Sequence, residues 1–227
     1  MLGLIDPTAA LAHLRAADPV MAQVIDRVGP FELRDDTTQD PFHALSRSIV
    51  FQQLSGKAAG TIFSRFVAIA LGGDPVAVRN RTSPEWAPGE FPSPAQVLAL
   101  PEESLRAAGL SRQKAASVRS LAEHFVSGAL DARALHALPD EEVIARLTQV
   151  RGIGRWTAEM FLLFHLRRAD VLPVNDVGIN RAILRQYGVA ALPKPAEVLA
   201  IGEPWRPHAS VACWYLWRSE DTATIGD

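Results

Sequence analysis

The stretch LTQVRGIGRWTAEMF, residues 147–161, constrains the fold more than any other part of the chain. Apolar residues at helical spacing lie on both sides of two glycines that are two positions apart. A helix that ends at Gln149 leaves carbonyl groups unpaired, and one that begins near Gly154 leaves N–H groups unpaired. Gly152 and Gly154 permit positive φ and keep the backbone bare, and Ile153 would turn inward between the helices. The stretch therefore predicts two helices joined by a tight hairpin.

The rest of the chain predicts helices as well. Ala, Leu, Arg and Glu dominate, and the β-branched alternation of strands is nearly absent, so we expect an all-α chain of about ten or more helices. Asp-Pro pairs at 6–7, 18–19 and 40–41 each place a capping carboxylate before a proline at the first helical position. The third pair opens a long apolar segment, which Gly56 is expected to divide into two helices.

Composition limits the class of protein. The 227 residues are 48% hydrophobic, which predicts a packed interior. No apolar run approaches ~18 residues and the N-terminus does not resemble a signal peptide, so we expect no membrane association and a cytoplasmic location, nucleoid-associated if the protein is bacterial. A single cysteine, Cys213, excludes an intrachain disulfide, a cysteine-rich zinc site and a four-cysteine iron–sulfur cluster.

Charge is distributed unevenly along the chain. The net charge is -2, yet residues 151–218 hold nine basic residues against five acidic ones, a local net charge of +4. Such a segment favours a polyanionic partner, although ordinary solvated helix faces explain it equally well. Arg151 and Arg155 flank the glycine hairpin and are candidates either for backbone contacts with DNA or for a solvated face.

The hairpin itself suits a phosphate oxygen, because bare N–H groups at a helix N-terminus attract anions. An apolar residue, any residue, then Gly-apolar-Gly and a helix with Thr-Ala is the helix-hairpin-helix pattern, which grips a DNA backbone without reading sequence. A turn with a purely structural role is the alternative. The segment AAGLSRQK, residues 107–114, shows a related glycine-marked turn.

A second candidate site lies in ADVLPVNDVGINRAI, residues 169–183. Pro173 disfavours helix before it, and Asp176 then stands where a helix begins. Asp176 could be a simple N-cap, worth about 1 kcal/mol. Asn175 could cap that helix instead, which would leave the carboxylate for chemistry. Asp170 is predicted to be a surface ion-pair partner.

The hairpin followed by an LPVND-type aspartate resembles the helix-hairpin-helix DNA glycosylase superfamily, and within it the alkylbase branch, the 3-methyladenine DNA glycosylase II type. The resemblance covers roughly residues 40–218. It implies two all-α lobes with a DNA cleft between them. One lobe would be a central bundle, 40–176, with the hairpin at 147–160; the other would combine 1–39 with 177–227. It also implies a monomer that binds double-stranded DNA containing alkylated bases, without an iron–sulfur cluster or a membrane partner.

The resemblance also implies roles for single residues. Asp176, 20 residues after Trp156, occupies the position of the catalytic aspartate. Trp156, Met160 and Trp217 occupy base-pocket positions, with core packing as the alternative for both tryptophans. Met160 replaces an aromatic residue of the family, and Ala209 stands where an arginine is usual, which would remove a contact to DNA or to the scaffold.

Two further elements carry over from the family. Gly152 and Gly154 map onto the hairpin that holds the DNA backbone, and family hairpins also hold a monovalent cation, sodium or potassium, through backbone carbonyls. The carbonyl groups at those positions belong to Thr148, Val150 and Ile153. FQQLSGKAA, residues 51–59, resembles the segment that enters the minor groove and fills the gap left by an extruded base. The wedge would be Gln53 by family alignment or Leu54 by its apolar chemistry. The segment 107–114 resembles a turn of the central bundle, with a structural or a DNA-contacting role.

The implied reaction is hydrolysis of an N-glycosidic bond after the base leaves the stack, as in base excision repair of alkylation damage. Asp176 would stabilise positive charge on the sugar and orient or deprotonate water. Tryptophan faces would attract a cationic alkylated base by about 0.5–2 kcal/mol each. Bifunctional relatives carry a Schiff-base lysine where this chain has Trp156, so we expect a monofunctional enzyme without lyase activity and with no required cofactor. A glycosylase for other damaged bases and a non-catalytic DNA-binding module are the alternatives.

Overall fold

A computed structural model describes residues 3–33, 40–75 and 91–223. Within these residues the regular structure is thirteen α-helices, one π-helical turn, one 3-10 turn and an isolated antiparallel bridge between Leu4 and Arg168. The predicted all-α fold of about ten or more helices is confirmed. In the same residues, no helix combines the length and the apolar character that crossing a membrane requires.

Contacts divide the chain into two units, a central unit of residues 37–161 and a terminal unit of residues 1–36 with 162–227. The sequence predicted the second boundary at residue 176. In the structure the boundary follows residue 161, so residues 162–176 belong to the terminal unit. The reason is a backbone pairing that the sequence did not reveal. The N–H of Ile5 donates to the Arg167 carbonyl at 2.9 Å, and that of Ala169 donates to the Gly3 carbonyl at 3.0 Å.

The central unit is built around one long helix. Its described helices are α3 (Pro41–Phe51), α4 (Gly56–Ala70), α5 (Pro94–Ala99), α6 (Glu102–Ala107), α7 (Arg112–Val126), α8 (Ala132–Ala137), α9 (Asp140–Leu147) and α10 (Arg155–Met160). Helix α7 packs against α3, α5 and α6. The predicted division of the long apolar segment is confirmed, because α3 ends at Phe51 and α4 begins at Gly56. Residues 52–55 form the turn between them.

The terminal unit joins the two ends of the chain. Its described helices are α1 (Pro7–Ala17), α2 (Pro19–Val28), α11 (Val177–Tyr187), α12 (Pro195–Gly202) and α13 (Ala209–Ala223), with a 3-10 turn at Glu203–Trp205. The π-helical turn Phe161–His165 follows α10 directly. Helix α13 packs against α1, α2 and α11, so the C-terminal helix is the centre of this unit.

All three predicted Asp-Pro helix starts are confirmed. Asp6, Asp18 and Asp40 each accept backbone N–H bonds in the first turn of α1, α2 and α3. Asp18 does more than its two counterparts. Its Oδ1 caps α2, while its Oδ2 accepts the Tyr187 hydroxyl at 2.6 Å and the Trp205 indole N–H at 2.8 Å. This carboxylate therefore joins three elements of the terminal unit.

Candidate nucleic-acid interface and active site

The hairpin between α9 and α10 is formed by residues 148–154. Val150 and Ile153 are buried, and the Ile153 N–H donates to the Val150 carbonyl at 3.1 Å. Ile153 thus turns inward, as the sequence predicts. Gly152 has φ +82°, and a Cβ there would clash with the Ser117 side chain on α7. Only glycine fits at this position, both for its backbone conformation and for its contact with α7.

Gly154 has a different role from Gly152. Its φ of -94° and ψ of 173° are ordinary extended values, so of the two glycines that permit positive φ only Gly152 adopts it. A Cβ at Gly154 would have no heavy atom within 4 Å. Gly154 is the N-cap of α10 and has no side chain to cover the N–H groups that follow. The bare backbone faces open space, which suits the approach of a phosphate.

The two arginines beside the hairpin have different surroundings. Arg151 is exposed, and its backbone N–H donates to the Ser120 Oγ at 3.2 Å. The Arg155 guanidinium binds Glu159 at 2.9 Å and Glu141 at 3.0 Å. The hydrogen bond from Arg155 lowers the pKa of the Glu141 carboxyl below its usual value. Arg155 is thereby tied into the hairpin's own ion-pair network, and Arg151 is the better placed of the two for a backbone contact with DNA.

We predict that alanine substitutions separate the two glycines. Gly152→Ala should cost about 2 kcal/mol or more of unfolding free energy, because it combines a strained φ with the Ser117 clash. Gly154→Ala should cost at most about 1 kcal/mol, because alanine is a poorer N-cap than glycine. It should weaken binding to duplex DNA, since its methyl group would stand where the phosphate approaches. Urea unfolding and fluorescence anisotropy measure the two effects. Equal losses of stability in both variants would contradict this division.

The turn between α3 and α4 carries both wedge candidates, and both are exposed. Gln53 has φ +57°, in the left-handed region that residues other than glycine seldom occupy, and Leu54 is 40% exposed. The Gln52 side chain donates to the Gly152 carbonyl at 3.1 Å. Lys114 Nζ donates to the Val50 and Gln52 carbonyls, both at 2.7 Å. Sequence reasoning missed Gln52 and Lys114, although it noted the 107–114 segment that contains the lysine.

A cavity of about 480 Å³ lies beside this turn in the central unit. Its lining residues come from α3, from the turn and from α10: Arg47, Ser48, Phe51, Gln52, Gln53, Trp156, Thr157 and Met160. The structure brings the predicted pocket residues Trp156 and Met160 together in this wall. Trp156 is 47% exposed, which excludes the alternative that it is a core residue. The cavity therefore offers an accessible aromatic face and a flexible apolar side chain.

Asp176 lies at the start of α11 in the terminal unit, and its side chain is buried. Its Oδ1 accepts the Ile179 N–H at 2.8 Å and the Trp217 indole N–H at 2.9 Å. The suggestion that Asn175 caps the helix is wrong, because Asn175 is exposed in the preceding turn and Asp176 is itself the N-cap. The cap fixes the position of the carboxylate instead of competing with a chemical role.

Trp217 contacts Asp176 and does not stand alone as an aromatic face. Its ring stacks on Phe164 with 5.7 Å between centroids, and its indole N–H points at the carboxylate. A Cβ on Gly178 would lie 3.0 Å from the Trp217 Cδ1 and 3.1 Å from the Asp176 Oδ1. Gly178 therefore permits the contact. Sequence reasoning missed this orienting role, and the glycine two residues after the aspartate was the available signal.

The segment that leads to Asp176 is braced by the start of α13. Ser210 Oγ donates to the Arg168 carbonyl at 2.6 Å and accepts the Val171 N–H at 2.9 Å. Asp170 is an ion-pair partner, as predicted, and its partner is Arg206 at 2.6 Å. Ala209 is fully buried, and its N–H donates to Asp170 at 3.4 Å. These bonds hold the chain before the candidate catalytic residue.

Comparison with known proteins places the chain in a family. Residues 46–207 match the HhH-GPD superfamily base excision DNA repair protein family, and the chain belongs to that superfamily. DNA-3-methyladenine glycosylase 1 of Schizosaccharomyces pombe is 34% identical over 218 residues, which cover 95% of this chain and 89% of that protein.

Solved structures agree with the same assignment. The Schizosaccharomyces pombe 3-methyladenine DNA glycosylase in complex with abasic DNA is 32% identical, with a TM-score of 0.76 and coverage of 94% of this chain and 97% of that chain. A DNA-3-methyladenine glycosidase from Bacillus halodurans is 36% identical, with a TM-score of 0.79 and coverage of 97% and 92%. The predicted family and its all-helical glycosylase fold are confirmed.

Proposed function

We propose that this protein is a monofunctional DNA glycosylase of the 3-methyladenine DNA glycosylase II type. It hydrolyses the N-glycosidic bond of bases such as 3-methyladenine and 7-methylguanine in base excision repair of double-stranded DNA. The observation that carries the proposal is the buried Asp176 carboxylate, held by the Ile179 N–H and the Trp217 indole N–H. The names of the relatives support alkylated bases as the substrate class.

The chemistry follows from what a fixed carboxylate can do. As the glycosidic bond breaks, the sugar gains positive charge, and a negative group already in place stabilises that charge without reorganising. The two donors on Oδ1 keep the Asp176 side chain in one orientation, so little rotamer freedom is lost when DNA binds. Asp176 would also orient or deprotonate the attacking water.

The central unit supplies the grip and the base contact in this proposal. The bare backbone N–H groups that follow Gly154 would donate to a DNA phosphate, with Arg151 beside them. Trp156 offers its exposed face to the flipped base, and a cationic alkylated purine gains about 0.5–2 kcal/mol from such a face. Met160 adapts to the outline of the base because its side chain is unbranched.

We also propose that the hairpin carbonyls hold a monovalent cation. The Val150 carbonyl accepts the Ile153 N–H at 3.1 Å, and a carbonyl oxygen has a second lone pair for a cation. With Thr148 and Ile153 it would hold sodium or potassium, which would add positive charge beside the bound phosphate. No other cofactor is part of the proposal.

The defining experiment measures base release from methylated DNA. Purified protein should liberate 3-methyladenine or 7-methylguanine from duplex DNA treated with a methylating agent, and chromatography of the free bases detects them. A protein that binds this DNA and releases no base would contradict the proposal and favour a non-catalytic DNA-binding module. Duplex DNA that carries 8-oxoguanine serves as the matched substrate, and preferential release of that base would favour a glycosylase for oxidised bases.

The absence of a lyase step is a separate prediction. A Schiff base requires an amine nucleophile, and Trp156 stands where bifunctional relatives carry lysine. Borohydride should therefore trap no covalent complex with damaged DNA, and the product should be an intact strand with an abasic site. Trp156→Lys, which introduces an amine at this position, is the matched variant. Denaturing gels resolve trapped complexes and cleaved strands. Trapping of the wild-type chain would overturn the monofunctional assignment.

A further inference from the structure

Lys114 binds the C-terminal end of helix α3. The last carbonyl groups of an α-helix have no partner within the helix and favour a positive charge. Lys114 Nζ donates to the carbonyls of Val50 and Gln52, both at 2.7 Å, so it spans the point where α3 ends and the turn begins. Ser111 caps the first turn of α7 through the Lys114 N–H at 3.2 Å, which fixes the base of the lysine side chain.

The residue that follows this clamp has an unusual backbone. Gln53 adopts φ +57°, a conformation that is strained for a residue other than glycine. Such a conformation persists only where surrounding contacts impose it. Its neighbour Gln52 is held by Lys114 at the backbone carbonyl, and its side chain donates to the Gly152 carbonyl at 3.1 Å and to Thr157 Oγ1 at 3.5 Å.

The same helix also braces the hairpin. Ser117 lies against Gly152, and Ser120 accepts the Arg151 N–H at 3.2 Å. Helix α7 thus carries three side chains at three-residue spacing that contact the hairpin or the end of α3 and its following turn, residues 52–55: Lys114, Ser117 and Ser120. The turn that would displace a base and the hairpin that would hold a phosphate share one rigid support.

We propose that Lys114 is a positioning residue for base displacement, which acts by holding Gln53 in the conformation that projects it from the turn. The inference rests on the proposed function, because a wedge has a role only on DNA. A direct phosphate contact is the other role open to a lysine. Positioning is favoured because Lys114 donates two hydrogen bonds to carbonyls of its own unit and its side chain is half-buried against α3. Burial also lowers the pKa of Lys114 below its usual value, as expected for an ammonium group withdrawn from water.

A double-mutant cycle tests this proposal. Lys114→Met keeps the length of the side chain and removes its donors, and Gln53→Ala truncates the wedge candidate that Lys114 would position. Each single change should slow base release from duplex DNA by about tenfold, and the double variant should be no slower than either. Lys114→Arg, which can still donate to both carbonyls, should recover most of the rate. Arg133→Met, an exposed charge on α8, is the control and should match wild type.

A second measurement separates displacement from chemistry and from folding. A 2-aminopurine next to the lesion reports unstacking, and Lys114→Met should reduce its fluorescence gain while release from single-stranded methylated DNA stays at the wild-type rate. Equal losses on single-stranded and duplex DNA, or additive effects of Lys114→Met and Gln53→Ala, would overturn the proposal. If the wild-type protein unstacks the lesion but releases no base, the proposed function is refuted and the positioning role of Lys114 is not. The double-mutant cycle is then measured by 2-aminopurine fluorescence instead of base release.

Discussion

Asp176→Asn should lower the single-turnover rate of base release by at least about 100-fold and leave the protein folded. The variant removes the negative charge that stabilises the sugar cation. It keeps an oxygen that can accept the Ile179 and Trp217 N–H groups, and asparagine caps a helix as well as aspartate does. The expected result is therefore a loss of chemistry without a loss of structure.

Rapid-quench measurement on duplex DNA that contains 7-methylguanine gives the rate, and thermal unfolding gives the stability. Asp26→Asn is the matched control, because Asp26 is also a carboxylate of the terminal unit but is exposed and pairs with Arg15. It should retain nearly the full rate. Full activity of Asp176→Asn would show that another group stabilises the developing charge.

Asp18→Ala should reduce the free energy of unfolding by about 3 kcal/mol or more. The change removes a helix cap and leaves two donors without their acceptor, the partly buried Tyr187 hydroxyl and the buried Trp205 indole N–H. Burial and the bond to Asp18 raise the pKa of Tyr187 above its usual value, so its hydroxyl keeps its proton and still needs an acceptor. Trp205 is fully buried, so water does not reach its N–H.

Asp6→Ala is the comparison that isolates the buried network. Asp6 caps α1 through two backbone N–H bonds of 3.0 and 3.1 Å, as Asp18 caps α2, but these bonds are exposed. Its loss should cost about 1 kcal/mol, the ordinary value of a cap. Urea unfolding of the two variants measures the difference, and equal costs would show that the bonds to Tyr187 and Trp205 add nothing.

The two caps also show what the sequence could and could not reveal. Asp-Pro at 6–7 and at 18–19 predicts two equivalent helix starts, because capping is a local interaction. The further role of Asp18 depends on Tyr187 and Trp205, which lie 169 and 187 residues away in the chain. Local patterns do not encode such distant contacts. The helix starts were therefore predictable, whereas the hydrogen bonds by which Asp18 joins distant elements were not.

The candidate site shows the same division. The hairpin glycines and Asp176 were identified as candidates because each belongs to a short motif with its own physical reason, whereas the pocket position of Trp156 came from the family resemblance. The position of Trp217 was also found, but not its bond to Asp176, which spans 41 residues. Lys114 was overlooked as a clamp because its partners are backbone carbonyls, which carry no residue-specific signal. Resemblance to a family supplied positions, and the structure supplied the contacts that give them roles.

The capping role of Asp176 has a consequence for the cell. Proteases and chaperones remove chains that unfold, and they respond to stability rather than to activity. Since asparagine preserves the start of α11, a chain that has lost its chemistry at this position would escape removal and accumulate to normal abundance.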